Sequence, residues 1–325
     1  MKKIIAILMV LALMFSLTAC GGTGATNSAG GATQMTMGTG GTAGTYYAYG
    51  GVLGGQIKSL TGIDINVVST DGSKANIIGI NDGDYQLGTV QSDVMAYAFK
   101  GTRTFEKEGK IDSFRVIGGL YAETVQLITM DPAIKSVADL RGKKVSIGAA
   151  GSGVYFNAVD VLNAAGLTED DIIAQKQSFA DSADALKDGK IDAAFIVAGA
   201  PTPAIQELSA TNNVYLVPID GDVAAKLMEG DESFYTATKI PANTYKNQSA
   251  DVTTVSIKAT LVVSASASEE DVYNITKAIF DNISSINHAK SAELSIENAT
   301  TGMAVPFHAG AAKYFAEKNV TVETK

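Results

Sequence analysis

The 325 residues contain no tryptophan, one cysteine and two histidines. A single cysteine excludes an intramolecular disulfide and any metal site built on paired thiolates. His288 and His308 lie near the C-terminal end, in or next to none of the predicted strand-end loops, and each reads as a structural residue. A histidine-based acid–base centre at those loops therefore has no base to draw on. Basic charge is also scarce: 25 Lys and Arg stand against 34 Asp and Glu, a net charge of −9. That balance excludes nucleic acid and anionic lipid as partner surfaces. It does not exclude an acidic small molecule, which responds to the donors lining one pocket.

What is present begins at the N-terminus. Met1-Lys2-Lys3 is a short basic start, Ile4 to Leu17 is almost wholly apolar, and Leu17-Thr18-Ala19-Cys20 follows. A basic start, a short apolar stretch and small residues before a cleavage point make a secretory signal over residues 1–19. The apolar stretch is shorter than the roughly 20 residues of a spanning helix, which argues against a permanent anchor. Leu17-Thr18-Ala19-Cys20 resembles the bacterial lipobox, whose cysteine is acylated and becomes the first mature residue. Cys20 is thus the expected lipidation site and membrane link, the alternative being a free thiol. Residues 20–32, rich in Gly, Thr, Ala and Ser, read as a flexible tether. Loss of Lys2 and Lys3 with the signal takes the net charge to −11.

The remaining 300 or so residues exceed a comfortable single core, so two lobes are expected. Strand and helix signals alternate: a helix over Tyr46–Leu60, a strand over Ile63–Ser69, a helix over Asp71–Ile80, a strand over Tyr85–Val90 and a helix over Ser92–Ala98, with Ser92 as N-cap. The rhythm resumes with a strand at Lys143–Gly148, helices at Val154–Ala165 and Ala180–Leu186, and a strand at Ile191–Val197. Two passages repeat in order. Thr36-Met37-Gly38-Thr39-Gly40-Gly41-Thr42 matches Ser146-Ile147-Gly148-Ala149-Ala150-Gly151-Ser152. Asn81-Asp82-Gly83-Asp84-Tyr85 matches Lys187-Asp188-Gly189-Lys190-Ile191. Strand, glycine loop and helix, then helix, Asp-Gly turn and strand, occur twice. Such a period is too long for a solenoid and fits a pair of similar α/β lobes. Beyond Pro218 the chain reads as irregular through Tyr245. A strand over Thr254–Val263 then crosses back to the first lobe, and helices over Glu269–Ile286, Ile296–Gly302 and Pro306–Phe315 close the chain.

In open α/β sheets ligands bind at the carboxyl ends of strands, beside helix N-termini. There unpaired N–H groups and the helix dipole form an anion cradle that needs no basic side chain. The expected donors are the backbone N–H groups at Gly41 and Gly153, with Thr42, Thr45, Ser73, Gln91, Ser92 and Ser152 adding side-chain groups. Tyr46 and Phe156, and also Tyr155, are placed as pocket walls. Asp93 and Glu123 read as ordinary solvated or helix-capping carboxylates. Two rival readings share these residues. Gly38-x-Gly40-x-x-Ala43 followed by Asp71 mimics a dinucleotide fingerprint. Gly151-Ser152-Gly153 places Ser152 where a nucleophile of an exported enzyme could stand, though no base can be named for it. No cofactor and no metal are expected.

At these residues the chain resembles the TAXI class of extracytoplasmic solute receptors of tripartite ATP-independent (TRAP) transporters. The resemblance rests on Gly38-Thr39-Gly40-Gly41-Thr42, Tyr46-Tyr47, Gln91-Ser92-Asp93, Ser136-Val137-Ala138-Asp139-Leu140-Arg141-Gly142-Lys143, Gly148–Gly153, Leu186-Lys187-Asp188-Gly189-Lys190-Ile191-Asp192 and Pro241-Ala242-Asn243-Thr244-Tyr245. It covers nearly everything after the tether. It implies a two-lobe, type II periplasmic-binding-protein fold, each lobe a mixed sheet flanked by helices. Lobe 1 is expected over residues 33–124 and 259–325, lobe 2 over 125–258. It also implies a non-enzymatic receptor, outside the cytoplasmic membrane, for an amino acid or dicarboxylate such as glutamate or glutamine, working with a sodium-driven TRAP permease. The chain departs from the family's pattern at Val154, at Tyr121-Ala122-Glu123 and at Thr70-Asp71-Gly72. A carboxylate at Asp71, if it faces the cleft, favours a zwitterion or neutral amide over a plain acid.

Overall fold

A computed structural model describes residues 33–230 and 233–325. The signal over 1–19, the proposed lipidation at Cys20 and the tether over 20–32 lie outside the described residues.

The first half runs β1 (Gln34–Gly38), α1 (Thr45–Thr61), β2 (Asp64–Val68), α2 (Ser73–Asp82), β3 (Leu87–Gln91) and α3 (Ser92–Lys100), then a 3-10 turn at Arg103–Phe105 and the 16-residue strand β4 (Phe114–Thr129). The second half runs β5 (Lys144–Ser146), α4 (Val154–Ala164), β6 (Ile173–Gln175), α5 (Phe179–Lys187), β7 (Ala193–Ala198), α6 (Pro203–Thr211), β8 (Tyr215–Val217), α7 (Gly221–Leu227), β9 (Thr236–Ile240) and β10 (Val252–Ser264). The helices α8 (Glu269–Phe280), α9 (Ile296–Thr300) and α10 (Ala309–Glu317) end the chain.

The strands form one path, β2-β1-β3-β10-β4-β7-β5-β6, with β8 joined to β4 and β9 to β10. β1 pairs in parallel with β2 and β3, and β5 pairs in parallel with β6 and β7. The orders 2-1-3 and 6-5-7 are one topology used twice, as the repeated sequence passages require. The Asp-Gly turns match as well: Gly83 and Gly189 follow α2 and α5 and both take a positive φ, 85° and 67°, which costs glycine little. Between the two parallel sets lie β4 and β10, antiparallel to each other.

These two long strands divide the apolar interior. Residues of β4 up to Tyr121 and of β10 from Ala259 pack into one core with α1, α2, α3, α8 and α10. Val125 and Leu127 of β4 and Val255 of β10 enter a second core, against α4 and β7. A third cluster fills the opposite face of β7, under α5 and α6. Each such side chain taken fully out of water stabilises by about 1.5–3 kcal/mol, and α1 alone buries Tyr49, Leu53 and Ile57 completely, at helical spacing.

Several sequence expectations shift. Gln91, not Ser92, is the N-cap of α3. The stretch read as irregular after Pro218 holds α7 and β9, and β4 was not anticipated at all. The helix from Glu269 stops at Phe280 because Asn282, at φ −126° and ψ 30°, leaves the helical region. Among the described residues no helix is long and apolar enough to cross a membrane.

Candidate functional site

A cavity of about 370 Å³ lies where the repeated strand ends meet. Its walls are the β1–α1 loop, the β2–α2 loop, the β5–α4 loop and the residues before α5, with Gln91, Glu123 of β4 and Val197 and Ala198 of β7. α1, α2, α3 and α4 all begin here. Their N-caps, Gly44, Gly72, Gln91 and Gly153, line the cavity, and none caps its helix with a side chain. By contrast α5, α8, α9 and α10 are capped by Ser178, Ser268, Ser295 and His308. The first N–H groups of a helix need partners, and away from the cavity only Thr202 of α6 and Asp220 of α7, among the α-helix N-caps of the described residues, likewise supply no side-chain cap. Four uncapped starts around one space supply donors and partial positive charge to whatever occupies it.

The acceptors are equally specific. Four buried oxygens at the cavity have no hydrogen-bond partner: Tyr46 Oη, Gln91 Oε1, Glu123 Oε2 and Gln177 Oε1. Buried polar groups are almost always paired, so these four oxygens are open to a partner that enters the cavity. Glu123 is 2% exposed. Burial pushes its carboxyl up to about 8; Gln91 and the Tyr46 hydroxyl favour its ionised form, Asp93 opposes it, and Lys290 favours it. No Lys, Arg or His of the described residues lines the cavity.

The structure brings together eight of the ten residues singled out from the sequence: Gly41, Thr42, Thr45, Tyr46, Ser73, Gln91, Ser152 and Gly153 all line the cavity. Their roles differ from the expectation. Thr45 Oγ1 already donates to the Gly199 carbonyl at 2.9 Å, and Ser152 Oγ to the Ala149 carbonyl at 2.7 Å. Ser73 Oγ accepts from the Gln91 N–H at 3.1 Å, leaving its own hydrogen to donate. Ser92 and Phe156 do not line the cavity. Ser92 is buried in the first turn of α3, and Phe156 turns away to pack on Tyr97 and Tyr155. Tyr155 is held outside by Glu169, to which its hydroxyl donates at 2.9 Å. Val154 and Phe179 supply apolar wall instead. Asp71 faces the cavity from an exposed position.

Asp93 and Glu123 are not the solvated carboxylates the sequence suggested. Asp93 is fully buried, and burial pushes it up to about 7. It accepts from Asn157 Nδ2 at 3.1 Å. Asn157 also accepts from Gln91 Nε2 at 3.0 Å and donates to Tyr235 Oη, whose hydroxyl donates to Asp160. Asp160 pairs with Arg103 at 2.6 Å, and the guanidinium lies over the Tyr97 ring. This chain of contacts runs from the cavity wall to the surface and joins residues on opposite sides of β4 and β10. Three further bonds do the same: Ala75 N–H to the Gly151 carbonyl, Ala204 N–H to the Ala43 carbonyl, and Thr45 to Gly199.

The Ser152 hydroxyl is committed to the Ala149 carbonyl, His288 sits edge-on to Tyr49 and His308 caps α10. Among the described residues no group of three His, Cys, Asp or Glu could hold a metal ion.

Residues 37–318 match the NMT1-like family, and the chain belongs to it. Its fold, a mixed sheet with flanking helices, is the α/β fold of the periplasmic binding proteins. A Bordetella bronchiseptica protein superimposes with a TM-score of 0.55 at 16% identity, over 89% of this chain and 83% of its own. PhnD1 of Prochlorococcus marinus, solved with methylphosphonate, gives 0.51 at 10% identity, over 80% and 88%. A Listeria monocytogenes protein ascribed to L-cystine ABC transport gives 0.50 at 16% identity, over 80% and 94%. At these identities the likeness is one of fold.

Proposed function

We propose that this protein is an extracytoplasmic solute-binding lipoprotein that captures a small carboxylate or amino acid, glutamate- or glutamine-like, between its lobes and delivers it to a membrane permease. The observation that carries this reading is the cavity itself: four uncapped helix starts and four unpartnered buried oxygens around one space. The ligand contacts proposed are the N–H groups around Gly41 and Gly153, the Ser73 hydroxyl, and Tyr46, Gln91 and Glu123.

Residues 33–124 with 259–325 form one moving body and 125–258 the other. β4 and β10 are the connections about which they open and close, and closure is the signal the permease reads. The bonds from Gln91 through Asn157 to Asp160 and Arg103 hold the closed form. Cys20 carries the lipid anchor. Replacing Cys20 with Ser should move the protein from the membrane fraction to the soluble fraction on cell fractionation, and unchanged membrane recovery would refute the anchor.

The permease proposed is of the sodium-driven TRAP type, on the resemblance to TAXI receptors. A second reading, an ABC permease, is favoured by the fold neighbour ascribed to L-cystine ABC transport. Uptake into vesicles that contain the cognate permease separates them: a sodium gradient without ATP suffices in the first case and not in the second. Titration calorimetry of the purified protein against amino acids, dicarboxylates and methylphosphonate tests the receptor reading. Saturable binding at one site per chain is expected, and no heat from any of them would overturn it.

A further inference from the structure

We propose that Glu123, with Tyr46 and Gln91, forms an ammonium subsite, so that this cavity selects ligands carrying both a carboxylate and a protonated amine. The inference rests on the receptor reading above and narrows it. An ammonium group has three N–H donors and no acceptor. Tyr46 Oη, Gln91 Oε1 and Glu123 Oε2 are three buried oxygens without partners at one wall of the cavity. They are mutual neighbours, since the Tyr46 hydroxyl and the Gln91 amide both act on the Glu123 carboxylate. The position of Glu123 is built in: it lies on β4 between Tyr121, which belongs to one core, and Val125, which belongs to the other. The nearest cation acting on it, Lys290, is engaged with Glu293 at 2.7 Å. Ionising a buried carboxyl is costly, and a cationic ligand offsets that cost. The uncapped starts of α1 and α4 take the other end of the molecule, the carboxylate.

The groups acting on Glu123 fix the pH behaviour. They are Tyr46 of α1, Gln91 and Asp93 at the start of α3, Tyr121 of its own strand, and Lys290 from the C-terminal segment. At neutral pH the buried carboxyl holds its proton, and an ammonium displaces it. Binding of an amino acid should therefore release about one proton at pH 7 and tighten as pH rises toward 8.

The test is calorimetry of the intact protein and of Glu123→Gln with an amino acid that binds and with its deaminated analogue, for instance L-glutamate and 2-oxoglutarate, in buffers of different ionisation enthalpy. The wild type should prefer the amino acid by about 30-fold or more, as loss of a buried charge partner implies, with proton release. In Glu123→Gln the preference should fall to about threefold or less and the proton release should vanish, while an unchanged circular dichroism spectrum and a cooperative melt show that the variant is folded. Equal binding of both ligands by the wild type, or an undiminished preference in Glu123→Gln, overturns the ammonium subsite and leaves the receptor reading standing. Absence of binding by every ligand overturns both.

Discussion

Among the residues, Glu123 and Asp93 contribute a falling stability with pH in the unliganded protein, against a rising one from His288 and His308, which burial holds below the usual imidazole range. The folded pKa values of the two carboxyls, about 8 and about 7, lie above the ordinary carboxylate range because burial disfavours the charged forms. Between the ordinary value and the raised one the folded state holds more protons than the unfolded state, so stability falls as pH rises through that window. Thermal unfolding without ligand should show a melting temperature that declines from pH 5 to pH 8, with a shallower decline in Glu123→Gln. A decline that is no shallower in Glu123→Gln than in the wild type would show that this carboxyl is not protonated in the fold. Gly153 makes a second case. A Cβ there would overlap the Gln91 carboxamide, which reaches past it to Asn157. Gly153→Ala should cost about 1–3 kcal/mol, typical of overpacking, and weaken ligand binding, both measurable by melting and calorimetry on one sample. Sequence reasoning found Gly153, Gln91 and Tyr46 because glycine loops and helix starts announce themselves. It missed that Glu123 is buried at the cavity, although a signal existed. From Phe114 to Thr129 the only charged residues are Arg115 near the start and this one acid, set in an otherwise mostly apolar run. A carboxylate in such a run is placed there against its solvation.

At the scale of elements, the repeated strand–loop–helix units were legible because each carries its own glycines, Asp-Gly turn and periodicity. The strand β4 was not, since a mostly apolar run buried on both faces lacks the alternation that marks a half-exposed strand. β6 and β9 are short, with exposed or half-buried residues apart from the buried Ile240, and left little pattern to read. The contact between the 3-10 turn at Arg103 and α4 at Asp160 is tertiary and has no local signature. It nevertheless makes a prediction. Arg103→Ala removes both the ion pair and the stack on Tyr97, and since neither touches the cavity it should act only through the balance of open and closed forms. Ligand affinity should weaken by about 3- to 10-fold, as expected for a partly exposed pair, while the radius of gyration without ligand rises in small-angle scattering. An unchanged radius and affinity would remove this contact from the closing mechanism.

For the molecule as a whole, two chain crossings connect two sets of cores. On β10 the pairing with β4 slips in register between Lys258 and Thr260 and again between Leu261 and Val262, beside the point where the strands pass from one core to the other. A strand pair with irregular pairing there can bend without unpacking either core, which is what a binding cleft between lobes needs. The account as a whole depends on the cavity being a receptor site for an amino-acid-like solute. Ligand-dependent thermal stabilisation reads this most directly, because a molecule that binds only the folded state raises the melting temperature in proportion to the logarithm of its concentration above Kd. Across a panel of amino acids, dicarboxylates and methylphosphonate at neutral pH, a rising melting temperature is predicted with at least one amino acid and a smaller rise with its deaminated analogue. A melting temperature that stays constant across the panel up to millimolar concentrations would contradict it.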